Sequence, residues 1–313
     1  LLIEEKKMKR AVSISIGSSK RDKAVEVELL GEKVSIERIG TDGDMEKAAL
    51  LYRDLDGKVD AFGVGGANLG IFVDRKWYPL YSVASLTRYV RQTPVLDGTG
   101  LKTTLEAKAG PTLENLIGSK INSRKVFHVT GVDRFGLLEG FQDSRYENIY
   151  GDLMFTLGIP RAIKTVKGLK TMADILMPIA GRIPFSWVYP IGEAQEKRTP
   201  KWTEYFDWAG IIAGDCHYIT RYMPERLEGK IIITNTTTAA DMQLFKTAGV
   251  KYVMTTTPVL DGRSFGTNMM EAAIAAAVGR KEPIDYSRPG AYFEELETTI
   301  RKIGLTPQLQ EIN

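Results

Sequence analysis

Cysteine is nearly absent from this chain. Among 313 residues only Cys216 occurs, which excludes an intramolecular disulfide and a cysteine-rich metal site. Histidine is almost as scarce, with His128 and His217 alone. Two imidazoles cannot build a histidine-rich zinc centre, and although carboxylates could hold a magnesium ion, no metal site is expected. Neither sign of charge is in excess: the net charge is +3, and no basic block of the kind that tracks a polyanion stands out, so nucleic acid is not an expected partner. The KKMKR segment, Lys6 to Arg10, reads as a solvated stretch. Long apolar runs are missing too. With no stretch of about 18 apolar residues and no signal-peptide core near Leu1, no membrane span is expected and the expected compartment is the cytoplasm. What is present, 43% hydrophobic and 26% charged residues, is the composition of a globular chain whose length suits two α/β domains.

The chain is organised around Lys125 to Asp152. An apolar run from Val126 to Val129 meets Thr130 and Gly131, and Phe135, Leu137, Leu138 and Phe141 follow at helical spacing. A second short run then ends at Asp152. This is the outline of a strand, a turn, a helix and a second strand closed by an acid. In a nucleotide-binding β-α-β unit the turn holds phosphate, and an acid about 20 residues on takes a ribose hydroxyl. On that reading Thr130, Gly131, Asp133 and Arg134 face a dinucleotide, and Asp152 favours NAD over NADP. The glycines Gly131, Gly136 and Gly140 do not spell G-x-G-x-x-G, so an ordinary strand-turn-helix stands as the alternative.

In the first part of the chain, Ala11 to Ile16, Val34 to Ile39 and Val59 to Val64 read as strands. Each runs into a polar turn. The first turn, Gly17 to Lys20, places Ser18, Ser19 and Lys20 where they could hold a phosphate or carboxylate, or simply form a surface turn. The second carries Asp42 and Asp44, with Asp44 capping a helix to about Arg53. The third is GGAN, ending at Asn68, where glycines admit a ligand or another backbone. Leu69 to Val73 and Trp77 to Tyr81 read as a hairpin, and Ser82 to Gln92 as a helix. Val95 and Leu96 lead into DGTGLK. There Asp97, Thr99 and Lys102 could orient a substrate hydroxyl, bind a carboxylate or relay a proton, or serve only as a capped turn. These turns share one rim if the strands are parallel.

In the second part, a helix is expected from Thr165 to about Pro178. The irregular segment Pro184 to Trp202 offers Glu193, Gln195, Glu196, Lys197 and Arg198 as contacts. Trp208 to Ala213 leads to Asp215 and His217, two apart at a strand end, a spacing that could pair acid and imidazole for proton transfer. Cys216 points the other way, into packing. Lys230 to Ile233 and Tyr252 to Met254 are strands whose threonine-rich ends bring Thr234, Asn235, Thr236 and Thr256 to a polar crevice. Arg263, beside Ser264 and ahead of a helix, could hold an anion or pair with Asp261. The apolar helix Met269 to Val278 packs internally or across a homodimer. Phe293 to Ile303 forms one amphipathic helix, followed by a loose tail.

The segments GTDGDMEKA, DGTGLK, YGDLMF, YPIGEAQE, AGDCHYI, ITNTTT and GRSFGTN make most of the chain similar to a clostridial group labelled quinate 5-dehydrogenase, in the quinate/shikimate dehydrogenase class. The resemblance implies a substrate domain followed by a Rossmann-like domain. It further implies that Ser13 and Ser15 answer to the class's serine pair, although no His-Asn follows them. Lys102 would answer to the catalytic lysine and Asp42 or Asp97 to its aspartate. Together these readings predict an α/β chain of two domains. Residues 1–122 would form an α/β substrate domain, 123–280 a Rossmann-like doubly wound sheet, and 281–313 a helix and tail. The expected function is an NAD(P)-dependent oxidoreductase acting on a small hydroxy acid or cyclic polyol acid, with Lys102, or His217 with Asp215, moving the proton. Two alternatives stand beside it: a non-redox enzyme on a phosphorylated or carboxylated metabolite, and a ligand-binding regulatory module on a dehydrogenase-like frame.

Overall fold

The computed structural model describes residues 7–184, 198–260 and 263–313, apart from the side chains of 259, 260, 263 and 264. Its strands, in chain order, begin with β1 (Lys9–Ser15), β2 (Lys23–Leu29), β3 (Glu32–Gly40) and β4 (Ala61–Gly65). A hairpin of β5 (Gly70–Val73) and β6 (Lys76–Pro79) follows, then β7 (Val95–Leu96). The later strands are β8 (Lys125–His128), β9 (Glu147–Tyr150), β10 (Ile211–Ala213), β11 (Ile231–Thr234) and β12 (Tyr252–Thr255). The short pair β13 (Val259–Leu260) and β14 (Arg263–Ser264) precedes the last strand, β15 (Gln308–Glu311).

Two mixed sheets result, ordered β2-β3-β1-β4-β7 and β15-β12-β11-β10-β8-β9. In each, one edge strand is antiparallel: β2 against β3, and β15 against β12. The other pairings are parallel, so the polar turns after β1, β3, β4 and β7 do share one rim, as do those after β8, β10, β11 and β12. The chain is thus an α/β protein of two sheet-centred units.

Burial explains which strands were legible in the sequence. β4 and β11 are buried at every position, as parallel strands covered on both faces must be. β2 alternates half-buried and exposed, with Glu26 and Glu28 outward and Val25 and Val27 inward, a charged edge that discourages pairing with another chain. That charge is why it did not read as a strand. The segment expected as a helix over Ser82 to Gln92 keeps only Tyr81–Ala84 as α-helix. The tail expected to be loose pairs as β15.

A late helix packs against the first sheet. The helix Thr267–Ala277 packs on β1, β3 and β4 of the first sheet. Its run of alanines, with Gly63 beneath, lets the helix approach closely: a Cβ on Gly63 would lie 3.1 Å from the Asn268 carbonyl oxygen. The helix Gly290–Lys302 then packs on the helix Thr99–Thr104, before β15 returns the chain to the second sheet. Val132, Phe135, Leu138 and Tyr150 of the second unit join the core of the first. No described helix is long and apolar enough to cross a membrane.

Candidate functional site

The two rims meet around Lys102. Its helix, Thr99–Thr104, starts from Gly98, whose φ of 94° is one that side chains rarely adopt. Asp97 holds this turn in place by accepting the Thr99 N–H at 3.0 Å and the Leu69 N–H at 2.7 Å. It thereby ties the Lys102 turn to the loop carrying Asn68. Asp97 is buried and engaged with backbone, so its part is to position the turn. Thr99 is buried beside it.

Lys102 donates to Asp133 Oδ1 at 2.9 Å and to Asn68 Oδ1 at 3.0 Å, and Asn68 Nδ2 donates to the same Asp133 oxygen at 2.7 Å. The Lys102 side chain is 11% exposed and that of Asp133 29%. Burial pushes the Asp133 carboxyl up, but the Lys102 and Arg134 charges outweigh it and hold the group below its ordinary range. Beside Lys102, lined by Gly70, Thr99, Asp133 and Gly136, is a cavity of about 10 Å³, room for one water.

One residue further on, Arg134 is buried and forks between two carboxylates. It meets Glu106 in a short contact, and Asp215 at 2.8 Å. The guanidinium is held above its ordinary range, because Glu106, Asp215 and Asp133 outweigh the cost of its burial. The reverse balance lowers Asp215 to about 2: burial raises it, and the Arg134 charge more than compensates. Glu106 is pushed up by burial against the pull of Arg134. Thr256 reaches Glu106 at 3.5 Å, Asn235 donates to Asp215 at 3.2 Å, and Thr234 donates to Asn235 at 3.0 Å. Glu106 Oε2, Arg134 Nε and Thr130 Oγ1 are buried without a partner among the described residues.

The convergence expected from the turns is therefore present for Asn68, Lys102, Asp133, Arg134, Asp215, Asn235 and Thr256. Glu106 lies in the same network but was not singled out in the sequence, because nothing in TLEAK distinguishes a buried acid from a solvated helix face. Tyr218, next to His217 and 38% exposed, was also missed. Its hydroxyl is pushed up to about 12, first by burial and then by the Asp133 and Asp215 charges.

Other expected residues lie differently. Ser18 caps a short turn by accepting the Lys20 N–H at 3.2 Å, Ser19 N donates to Asp42 at 2.7 Å, and Lys20 is exposed. That loop is bonded to the turn after β3. Thr236 is half-buried in the turn after β11. Asp215 and His217 do not form the strand-end pair expected. Asp215 is the N-cap of the helix Cys216–Tyr222 and accepts the His217 backbone N–H at 2.9 Å, while His217 is exposed. Cys216 packs in the core as expected. Arg263 sits in β14, and its side chain is outside the described residues, as are Glu193, Gln195, Glu196 and Lys197. Arg198 donates to the Met223 carbonyl at 3.3 Å.

The turn after β8 does not fit a pyrophosphate. Asp152, at the spacing of a ribose-binding acid, is buried and accepts the Gly131 and Val132 N–H groups at 2.9 Å each. The amides that would cradle a phosphate already face a carboxylate, which would repel one. A Cβ on Gly131 would lie 3.0 Å from Leu169 and 3.1 Å from Tyr150, so this glycine serves close packing. The helix that follows, Phe135–Glu139, has 5 residues, too short to supply much of a dipole.

Fold and site together define an α/β protein whose two sheet rims are joined by a buried network of opposite charges. The chain belongs to the family described as a domain of unknown function, DUF8754, whose model matches residues 100–312. A second domain of unknown function, DUF8753, matches residues 10–97. No curated protein matches the sequence. Among solved structures, a Mycobacterium smegmatis protein in complex with β-D-fucofuranose is 10% identical with a TM-score of 0.32, over 97% of this chain and 100% of that one. GanP, a glucose-galactose binding protein from Geobacillus stearothermophilus, is 10% identical with a TM-score of 0.35, over 98% of each chain. The Entamoeba histolytica malic enzyme is 11% identical with a TM-score of 0.39, over 95% of this chain and 64% of that one. The expected membership of the quinate 5-dehydrogenase group is thus corrected: the matching family models are DUF8754 and DUF8753. The NAD(P)-dependent oxidoreductase reading falls with it, because its phosphate turn is filled by Asp152.

Proposed function

We propose that the chain is a binding module for a small, neutral, hydroxyl-rich molecule held at the rim by Asn68, Lys102, Asp133 and Asp215. The observation that carries this reading is the shared carboxylate oxygen of Asp133. It takes both Lys102 and Asn68, at 2.9 and 2.7 Å, while the side chain stays 29% exposed. A hydroxyl both donates and accepts. One ligand carbon can therefore place its O–H on Asp133 or Asp215 and accept from Lys102 or the Asn68 amide.

The charge balance supports a neutral ligand. Two cations, Lys102 and Arg134, face three acids, Asp133, Asp215 and Glu106, so an incoming anion would meet no surplus of positive charge. Lys102 acts in this reading as a hydrogen-bond donor fixed by Asp133, not as a base.

The test is calorimetric titration with neutral monosaccharides and cyclitols, including glucose, galactose and arabinose, on the wild type and on Asp133→Asn. One member of the panel is expected to bind, and Asp133→Asn to weaken it about 10- to 100-fold, the worth of a hydrogen bond to a charged group. Absence of heat for every neutral polyol at about 10 mM, a concentration that detects even weak millimolar affinity, or an unchanged affinity in Asp133→Asn, overturns the reading.

A further inference from the structure

A second concavity lies away from the carboxyl rim. At the opposite edge of the second sheet, where β10, β11 and β12 begin, lies a cavity of about 330 Å³, within the size range of small-molecule sites. Buried Ile231 and Tyr252 line it, and three lysines, Lys120, Lys230 and Lys251, stand around it with two acids, Asp207 and Glu228.

Lys230 is the informative residue. Its ammonium is half-buried and donates to two main-chain carbonyls, those of Asp207 at 2.9 Å and Ala209 at 2.6 Å. No carboxylate lies within ion-pair distance of it among the described residues. A lysine at a sheet edge can normally extend its ammonium into water, but here the two carbonyls hold it at the cavity. Carbonyl dipoles orient a cation without cancelling its charge, so part of the cost of leaving water remains uncompensated. Burial accordingly holds Lys230 below its ordinary range, although Asp207 and Glu228 pull the other way. Glu228, the nearer of these acids in sequence, is already engaged by Arg226 at 2.6 Å. A second group points to the same deficit: the Tyr252 hydroxyl, in a residue only 3% exposed, has no partner among the described residues.

We propose that this cavity binds a small organic anion through phosphate or carboxylate oxygens, with Lys230 as the central contact and Lys251 and Lys120 at its mouth. The anion supplies the opposite charge that the carbonyls cannot, and charge-assisted hydrogen bonds from ammonium groups to such oxygens are among the strong ones. The site is independent of the carboxyl rim and shares no residue with it, so either reading can fail alone.

The experiment is a thermal-shift titration of the whole chain with inorganic phosphate and, separately, with succinate, each at constant ionic strength made up with sodium chloride. The wild type is expected to gain a saturable rise in melting temperature from at least one of the two anions, and the one that saturates first identifies the headgroup. Lys230→Met and Lys251→Gln are expected to shift the half-saturating concentration upward about tenfold or more, the loss of one charged contact. Asp133→Asn is expected to leave it unchanged. If Lys230→Met fails to fold, Lys251→Gln decides, since Lys251 also lines the cavity. The proposal is overturned if neither anion exceeds the chloride control, or if both lysine variants respond as the wild type does.

Discussion

Replacing Glu271 with glutamine isolates the energetics of a buried acid that neither site uses. Glu271 lies on the helix Thr267–Ala277 with no exposure. One carboxylate oxygen accepts the Leu101 N–H at 2.9 Å, and the other faces the hydroxyls of Tyr292 at 2.6 Å and Tyr286 at 3.3 Å. It thus joins the segment after residue 280 to the first turn of the Lys102 helix. Burial pushes its carboxyl up from 4.5 to about 7, despite the hydrogen bonds from Tyr292, Leu101 and Tyr286, which favour the charged form; the Asp97 charge adds to the rise. At about 1.4 kcal/mol per pH unit, that rise corresponds to ~3 kcal/mol.

The sign follows from proton uptake. Between the unfolded and folded values the folded chain holds a proton that the unfolded chain has released, so folding is favoured by acid in this window. The contribution is fully present below about pH 4.5 and is lost as pH rises through about 7. Glutamine keeps a carbonyl oxygen for the Leu101 N–H and turns its NH2 toward the tyrosine oxygens, but it cannot titrate. Urea unfolding of both proteins at a series of pH values from about 5 to about 8 reads the effect. The stability of the wild type relative to Glu271→Gln should fall by ~2–3 kcal/mol across that span. Taking the difference cancels other titrating groups. Parallel curves for the two proteins would refute the argument that burial dominates this carboxyl.

Two further outcomes test the packing around the sites. Asp152→Ala leaves the Gly131 and Val132 amides without their acceptor and should cost ~2–6 kcal/mol in urea unfolding, given about 1–3 kcal/mol for each buried donor left unsatisfied; NAD and NADP should leave the melting temperature of the wild type unmoved, because those amides are taken. Gly136→Ala would place a Cβ in overlap with the Lys102 carbonyl oxygen, so it should cost ~1–3 kcal/mol or more and, by displacing the Lys102 helix, weaken any ligand of the rim by calorimetry.

Much of the candidate site was legible in the sequence because each turn carries its own chemistry. Asn68, Lys102, Asp133, Asp215 and Asn235 all follow apolar runs, and parallel strands bring such turns to one edge. What the residues do there was not legible. The spacing from Gly131 to Asp152 suits a ribose contact and an internal bond to the turn equally well, and the choice depends on how closely Tyr150 and Leu169 pack against the glycine. The Asp215 to His217 spacing suits a strand or a helix start, and the chain takes the helix because Asp215 caps it. Glu106 has no local mark at all. Only Arg134, arriving from another unit, makes it part of a network.

By itself the sequence determined the local elements. Alternating and continuous apolar runs set the parallel strands, Asp44 sets a helix start through its cap, and the scarcity of cysteine and histidine removed disulfides and histidine-rich zinc sites. The tertiary structure alone decided that the helix Thr267–Ala277 covers the first sheet, that the tail becomes β15, and that Asp152 fills the turn after β8. The physical reason is that periodicity records which face of an element must be buried, whereas the partner that buries it, and the charges it brings, come from distant parts of the chain.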